Sequence, residues 1–141
     1  MSAAIYPDLP RAAVGAVVIK NNNILLVKRK SEPDKNLWAI PGGKIKLGET
    51  LQNAAQREVL EETGVSIKAQ GPIFAFDVIE RDTAGKVRIH YVIVDVLAEY
   101  IGGEPAASDD AAEARFFSSD ECKKLPLSQN TEHFLNAIQF I

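Results

Sequence analysis

Arg57, Glu58, Glu61 and Glu62 put three acids and one cation within six residues, the densest concentration of chemistry in this sequence. If the segment is helical, each residue turns the chain by about 100°, so the three carboxylates project within an arc of roughly 100°. Like charges at these spacings each destabilise a helix by about 0.2–0.5 kcal/mol. Arg57 stands one turn before Glu61, but one cation does not balance three acids. A divalent cation does, and clustered hard oxygen donors are what magnesium and its relatives bind. Clustered carboxylates also raise one another's pKa, which suits one of them to take a proton from water near neutrality.

The elements around this cluster follow from pattern. Gly48-Glu49-Thr50 leads into the helix, with Thr50 or Glu49 serving its first free amides. Leu51, Ala55 and Val59, four apart, form a stripe that would face a sheet. Glu58 and Glu62 border that stripe, which predicts acids at the rim of a cleft. Gly64 is placed to end the helix. Upstream, 12–19 and 24–30 read as two strands of a hairpin turning at Asn21-Asn22-Asn23. A polar loop follows over 31–36, then a short strand before Pro41-Gly42-Gly43. There two glycines permit positive φ or close approach to a ligand. Downstream, 72–80 and 86–100 read as a long antiparallel hairpin about the turn 82–85. Gly102-Gly103-Glu104-Pro105 breaks it, and an acidic loop over 107–114 feeds a short strand, 115–117. A short helix is predicted over 118–125. A closing amphipathic helix over 128–141 would bury Phe134, Leu135, Ile138 and Ile141. Strands followed by helices without regular alternation predict an α+β sandwich, a mixed sheet flanked by helices.

With 141 residues the expectation is a single domain over 1–141 with a real core. The net charge of −3 does not favour a nucleic-acid polymer or an anionic membrane, so a phosphate-bearing ligand needs cations or local basic groups. Cys122 is the only cysteine, which fits a reducing, cytoplasmic setting, and with no His near it in the sequence it reads as a spectator. The first residues lack the pattern of a signal peptide, and no apolar run approaches the roughly 20 residues of a membrane span.

Gly43, five residues, Glu49, seven residues, then Arg57-Glu58-Val59-Leu60-Glu61-Glu62-Thr63-Gly64-Val65 resembles a complete Nudix box. The flanking strands and closing helix extend the resemblance over roughly residues 11 to 140. It implies an α/β/α sandwich that cleaves the phosphoanhydride of a nucleoside diphosphate linked to another moiety, with Mg2+ or Mn2+ as cofactor. By position, Glu58, Glu61 and Glu62 would be metal ligands, with Glu61 or Glu62 nearest the attacking water. Gly42 would add a carbonyl ligand and Arg57 would orient a catalytic carboxylate. Gly43 would shape the loop, and Glu49 would tie the loop to the helix. Some relatives use an acid from a later loop, which nominates Asp110 and Glu113 near the metal.

The substrate is less legible. The residue about sixteen past the box is Arg81, where ADP-ribose-cleaving relatives often have proline. The run from Ile89 to Phe117 nevertheless is similar to small ADP-ribose pyrophosphatases. The leading expectation is therefore ADP-ribose or a similar sugar nucleotide. The alternatives are a (d)NTP pyrophosphohydrolase giving pyrophosphate, and a non-catalytic nucleotide-binding module. Arg29 and Lys44 are candidates for phosphate contacts. Trp38, Phe76, Tyr91 and Phe116 could each stack a base, Phe76 being carried as a substrate contact, although aromatic side chains in such strands are more often core. His90 and His133 read as bystanders. A monomer or a homodimer is expected.

Overall fold

The computed structural model describes residues 5–32 and 34–141. Met1–Ala4 of the N-terminal lead and Pro33 of the polar loop lie outside them. The elements in chain order are β1 (Arg11–Lys20), β2 (Asn23–Arg29), β3 (Trp38–Ala39), β4 (Gly42–Lys44), α1 (Leu51–Thr63), β5 (Ser66–Arg81), β6 (Val87–Gly102), β7 (Ala111–Phe117), α2 (Ser119–Cys122) and α3 (Gln129–Ala137).

All strands join one mixed sheet of order β3-β2-β1-β6-β5, with β4 paired to β1 and β7 to β2. β1 is central: Ala13 to Val18 are buried without interruption, as expected of a strand covered on both faces. It runs parallel to β6 from Arg11↔Tyr91 to Ile19↔Glu99. Its other edge is shared, with β4 at Ala13–Gly15 and β2 only at Ile19–Lys20. The hairpin predicted between the first two strands therefore exists at its turn, where Asn21 and Asn22 take φ of 50° and 64°. Away from the turn, β2 leaves β1 for β7 and β3.

The two sheet faces carry separate cores. On one, Ala54, Ala55 and Val59 of α1 pack against Val14, Ala16, Val18, Leu25 and Val96. On the other, Phe134 and Leu135 of α3 join Val17, Ile24, Leu26, Trp38 and Phe117. This is the flanked sheet that the residue pattern predicted.

Several boundaries move. β5 starts at Ser66 rather than residue 72, running through Pro72 with register shifts on either side. It is the edge strand, where proline costs no ladder bond. The acidic loop is partly strand, since β7 begins at Ala111, and Ala111 and Ala114 pack on Val27. The helix expected over 118–125 is only the four residues of α2, opened by a reciprocal cap between Ser118 and Glu121. Pro126 disfavours helical backbone at Leu125. α3 stops at Ala137, because Gln139 takes φ of 60° and Phe140 N–H turns back to the Leu135 carbonyl at 2.8 Å. Among the described residues no helix is long and apolar enough to cross a membrane.

Candidate active site

α1 begins where the sequence places it. The Thr50 hydroxyl accepts the Asn53 amide at 3.0 Å, and Gly64 ends the helix in the left-handed region at φ 74°. The buried stripe on α1 fixes its rotation, and that rotation separates the three acids. Glu62 is buried, Glu58 is half-buried and Glu61 is exposed.

Arg57 is the hub of this edge. Its Nε and Nη2 donate to the two carboxylate oxygens of Glu49 at 2.7 and 2.9 Å. Nη1 donates to Glu58 at 2.8 Å and Glu61 at 3.3 Å, and Nη2 also donates to the Lys44 carbonyl at 3.0 Å. A guanidinium has five N–H groups, and each of these five contacts takes one. The fork on Glu49 is the bidentate geometry that arginine favours. Glu49 also accepts the Lys46 amide at 2.9 Å, so it ties the loop to the helix. Hydrogen bonds from Arg57, and then from the Lys46 amide, hold the Glu49 carboxyl down at about 2.

The loop before the helix is shaped by contact rather than by unusual backbone, since neither Gly42 nor Gly43 has positive φ. A Cβ on Gly43 would overlap the Glu58 carboxyl, and one on Gly42 would overlap the Val14 carbonyl oxygen. The absence of side chains lets β4 lie between β1 and the acidic edge of α1.

A cleft of about 380 Å³ opens on the far side of this loop. Arg29, Gly42, Gly43, Glu62 and Phe76 all line it, with Tyr91 and Asp95. Burial raises the Glu62 pKa well above the ordinary carboxylate range, and the neighbouring Glu58 charge adds to this. The Gly42 N–H and the Arg29 charge oppose it. Burial also raises Glu58, against the pull of Arg57.

Other candidates are not brought to this cleft. Lys44 faces a separate surface depression with Arg11 and Lys46. Glu113 is exposed and pairs with Lys28 at 3.5 Å, across the β2–β7 ladder. Asp110 stands at the start of that ladder, where its carbonyl accepts the Lys30 amide at 3.0 Å, and it does not line the cleft. Glu61 points to solvent beside Arg57. Among the described residues no three acid, His or Cys side chains surround a common point. Trp38 and Phe116 are packing residues, edge-on to Phe117 and Tyr100 respectively. His133 is exposed, and His90 lies on the sheet face opposite Ile89 and Tyr91.

A model of the NUDIX domain matches residues 9–138, nearly the whole chain. This chain belongs to the Nudix family. It is 40% identical over 116 residues to an ADP-ribose pyrophosphatase of Methanocaldococcus jannaschii, covering 82% of this chain and 66% of that protein. Among solved structures, the MutT Nudix hydrolase from Burkholderia pseudomallei has a TM-score of 0.73 at 30% identity. That match covers 92% of this chain and 98% of the other. A bifunctional NMN adenylyltransferase/ADP ribose pyrophosphatase from Francisella tularensis, complexed with AMP and a manganese ion, has a TM-score of 0.74 at 26% identity. It is matched over 93% of this chain and 41% of its own length.

Beyond the Nudix box, the fold adds cleft residues that sequence reasoning passed over: Gly15, Asp95, Ser128 and Thr131. Gly15 looks like an ordinary small residue in an apolar strand, and Ser128 and Thr131 look like cap residues. They serve as such, with the Ser128 hydroxyl accepting the Thr131 amide at 3.3 Å. Asp95 carries the one usable signal, an acid between Val94 and Val96 in an apolar run.

Proposed function

We propose that the protein is a divalent-cation-dependent pyrophosphohydrolase. On this reading it splits the phosphoanhydride of a nucleoside diphosphate linked to another moiety, with ADP-ribose or a similar sugar nucleotide first. The observation that carries the reading is Glu62. It is a buried carboxylate with a raised pKa, set in the wall of a cleft whose volume falls in the small-molecule range. A buried acid beside further acids is tolerated only with a counter-charge or a proton.

The donor set suits a hard dication. Glu58 and Glu62 flank the loop and offer carboxylate oxygens, the Gly42 carbonyl offers another, and Glu61 would join them by turning from Arg57, as magnesium or manganese requires. Such a cation, when bound, neutralises diphosphate oxygens and acidifies water. The remaining work belongs to the chain. Arg57 fixes Glu58 and Glu61 relative to the loop, leaving Glu62 to face the cleft. Water attacks one phosphorus of the diphosphate, the bridging P–O bond breaks, and the second phosphate leaves. Glu62 is the acid best placed to accept the water's proton, and Arg29 to meet the phosphate charge. Phe76 offers an apolar wall for the nucleoside. Asp110 and Glu113 take no part in this reading, because neither lines the cleft.

Product identification with magnesium tests it. AMP and ribose 5-phosphate from ADP-ribose are expected. Pyrophosphate released from a (d)NTP, with sugar nucleotides untouched, would move the assignment to the nucleotide-pool class. No turnover of either class would reduce the chain to a binding module.

A further inference from the structure

Asp95 is the group that this account of the site leaves unused. It is 1% exposed, and its Oδ2 is buried with no hydrogen-bond partner among the described residues. Buried polar atoms without partners are rare and expensive, and they call for a specific explanation. The backbone explains how Asp95 comes to be there. Gly42, Gly15 and Asp95 are in register on the adjacent strands β4, β1 and β6, and Phe74 of β5 completes the row. A Cβ on Gly15 would overlap the Asp95 carboxyl, so the carboxyl lies flat over bare backbone on the cleft floor. With strands about 4.8 Å apart, the Asp95 backbone is roughly 10 Å along the floor from Gly42, and its carboxyl reaches back over Gly15 between them. Gly42 is the residue whose N–H meets Glu62.

The surroundings select what belongs there. A second phosphate is disfavoured, because burial alone accounts for the raised Asp95 pKa and no cation offsets its charge. A metal is disfavoured because no neighbouring acid or base acts on the Asp95 carboxyl, whereas Glu58 acts on Glu62. Phe76 and Ile93 also line this cleft, with polar Ser128 and Thr131, and the Ile40 side chain reaches Gly15, so apolar side chains lie beside the Asp95 carboxyl. That suits a planar base better than a sugar bearing several hydroxyls. A neutral carboxyl has one O–H donor beside one carbonyl acceptor.

We propose that Asp95 reads the base of the substrate, donating to a ring nitrogen and accepting from the amino group beside it, the edge that adenine presents. This rests on the nucleotide-hydrolase reading above and names the base that site would take. Asp95 is then a specificity-determining residue, remote from the bond that breaks.

The test compares AMP with purine riboside 5′-monophosphate, which lacks only the amino group, by calorimetric titration in magnesium at pH 6. The wild-type protein is expected to prefer AMP by roughly tenfold or more, because the analogue leaves the carboxyl half-paired. Asp95→Asn, whose amide also pairs one donor with one acceptor, is expected to keep the preference. Asp95→Ala is expected to bind the two nucleotides equally. Equal wild-type binding of both, or binding of neither, overturns the inference without reference to any variant. An Asp95→Ala protein that weakens both ligands by the same factor overturns it too, since that marks a sugar contact or a structural role. If ADP-ribose is hydrolysed but the base preference is absent, only this inference falls. If no nucleotide is hydrolysed, the functional reading itself is lost.

Discussion

The Arg57 hub and the cleft wall use the same residue types in opposite ways. At the hub, Glu49 takes the Arg57 fork and a backbone amide, and its pKa drops to about 2. In the cleft, Glu62 and Asp95 are buried and under-compensated, and both pKa values rise, Asp95 to about 7. A satisfied acid fixes geometry, while an unsatisfied buried acid stores a cost that a proton, a cation or a ligand can relieve. The contrast separates the acid that ties the loop to the Nudix helix from the acids that carry an unrelieved cost in the cleft.

Removing charge from the cleft should have the largest effect. Glu62→Gln is expected to lower kcat by roughly 10²–10⁴-fold while the fold is kept, as steady-state assays and circular dichroism would show. Thermal stability without metal should not fall, because the substitution removes a buried charge. Unchanged turnover would take Glu62 out of the chemistry.

Chelation tests the same wall from the side of the proposed counter-charge. EDTA should abolish turnover, and readdition of magnesium should restore it. Magnesium should also raise the melting temperature of the wild-type protein more than that of Glu62→Gln. An equal rise in both would place the cation elsewhere.

Loosening the hub should cost less. Arg57→Lys keeps the charge but loses the fork that five N–H donors provide. A drop in kcat of roughly 100-fold is expected from misplaced acids, with KM changing little. A variant with normal kcat and only a lower melting temperature would make the hub purely structural.

The smallest effects are on stability against pH, and they have opposite signs in the two regions. Glu49 has a depressed folded pKa, so its contribution is present above about 4.5 and is lost as pH falls toward about 2. Asp95 has a raised folded pKa, so it costs nothing below its ordinary value of 3.8. Its cost grows as pH rises and is complete above about 7. Melting curves of wild type and Asp95→Asn should therefore coincide near pH 4 and diverge toward pH 8, with the variant the more stable. Parallel curves would show that Asp95 ionises without cost.

The sequence alone determined the acidic helix. Its cap at Thr50, its buried stripe and its stop at Gly64 are local, set by contacts within a few turns, and the box spacing added the family. It also carried the order of strands and helices, because alternation and turn residues act over short range. Which acids face the cleft was decided only by the packed molecule. Arg57 draws Glu58 and Glu61 aside through a loop residue eight positions before it, and Lys28 takes Glu113 across a ladder. Asp95 was the least legible. Its placement depends on the parallel register of β1 with β6, a pairing between segments 80 residues apart that no local pattern encodes. Only that register sets a carboxyl over Gly15, where the missing side chain makes room for it.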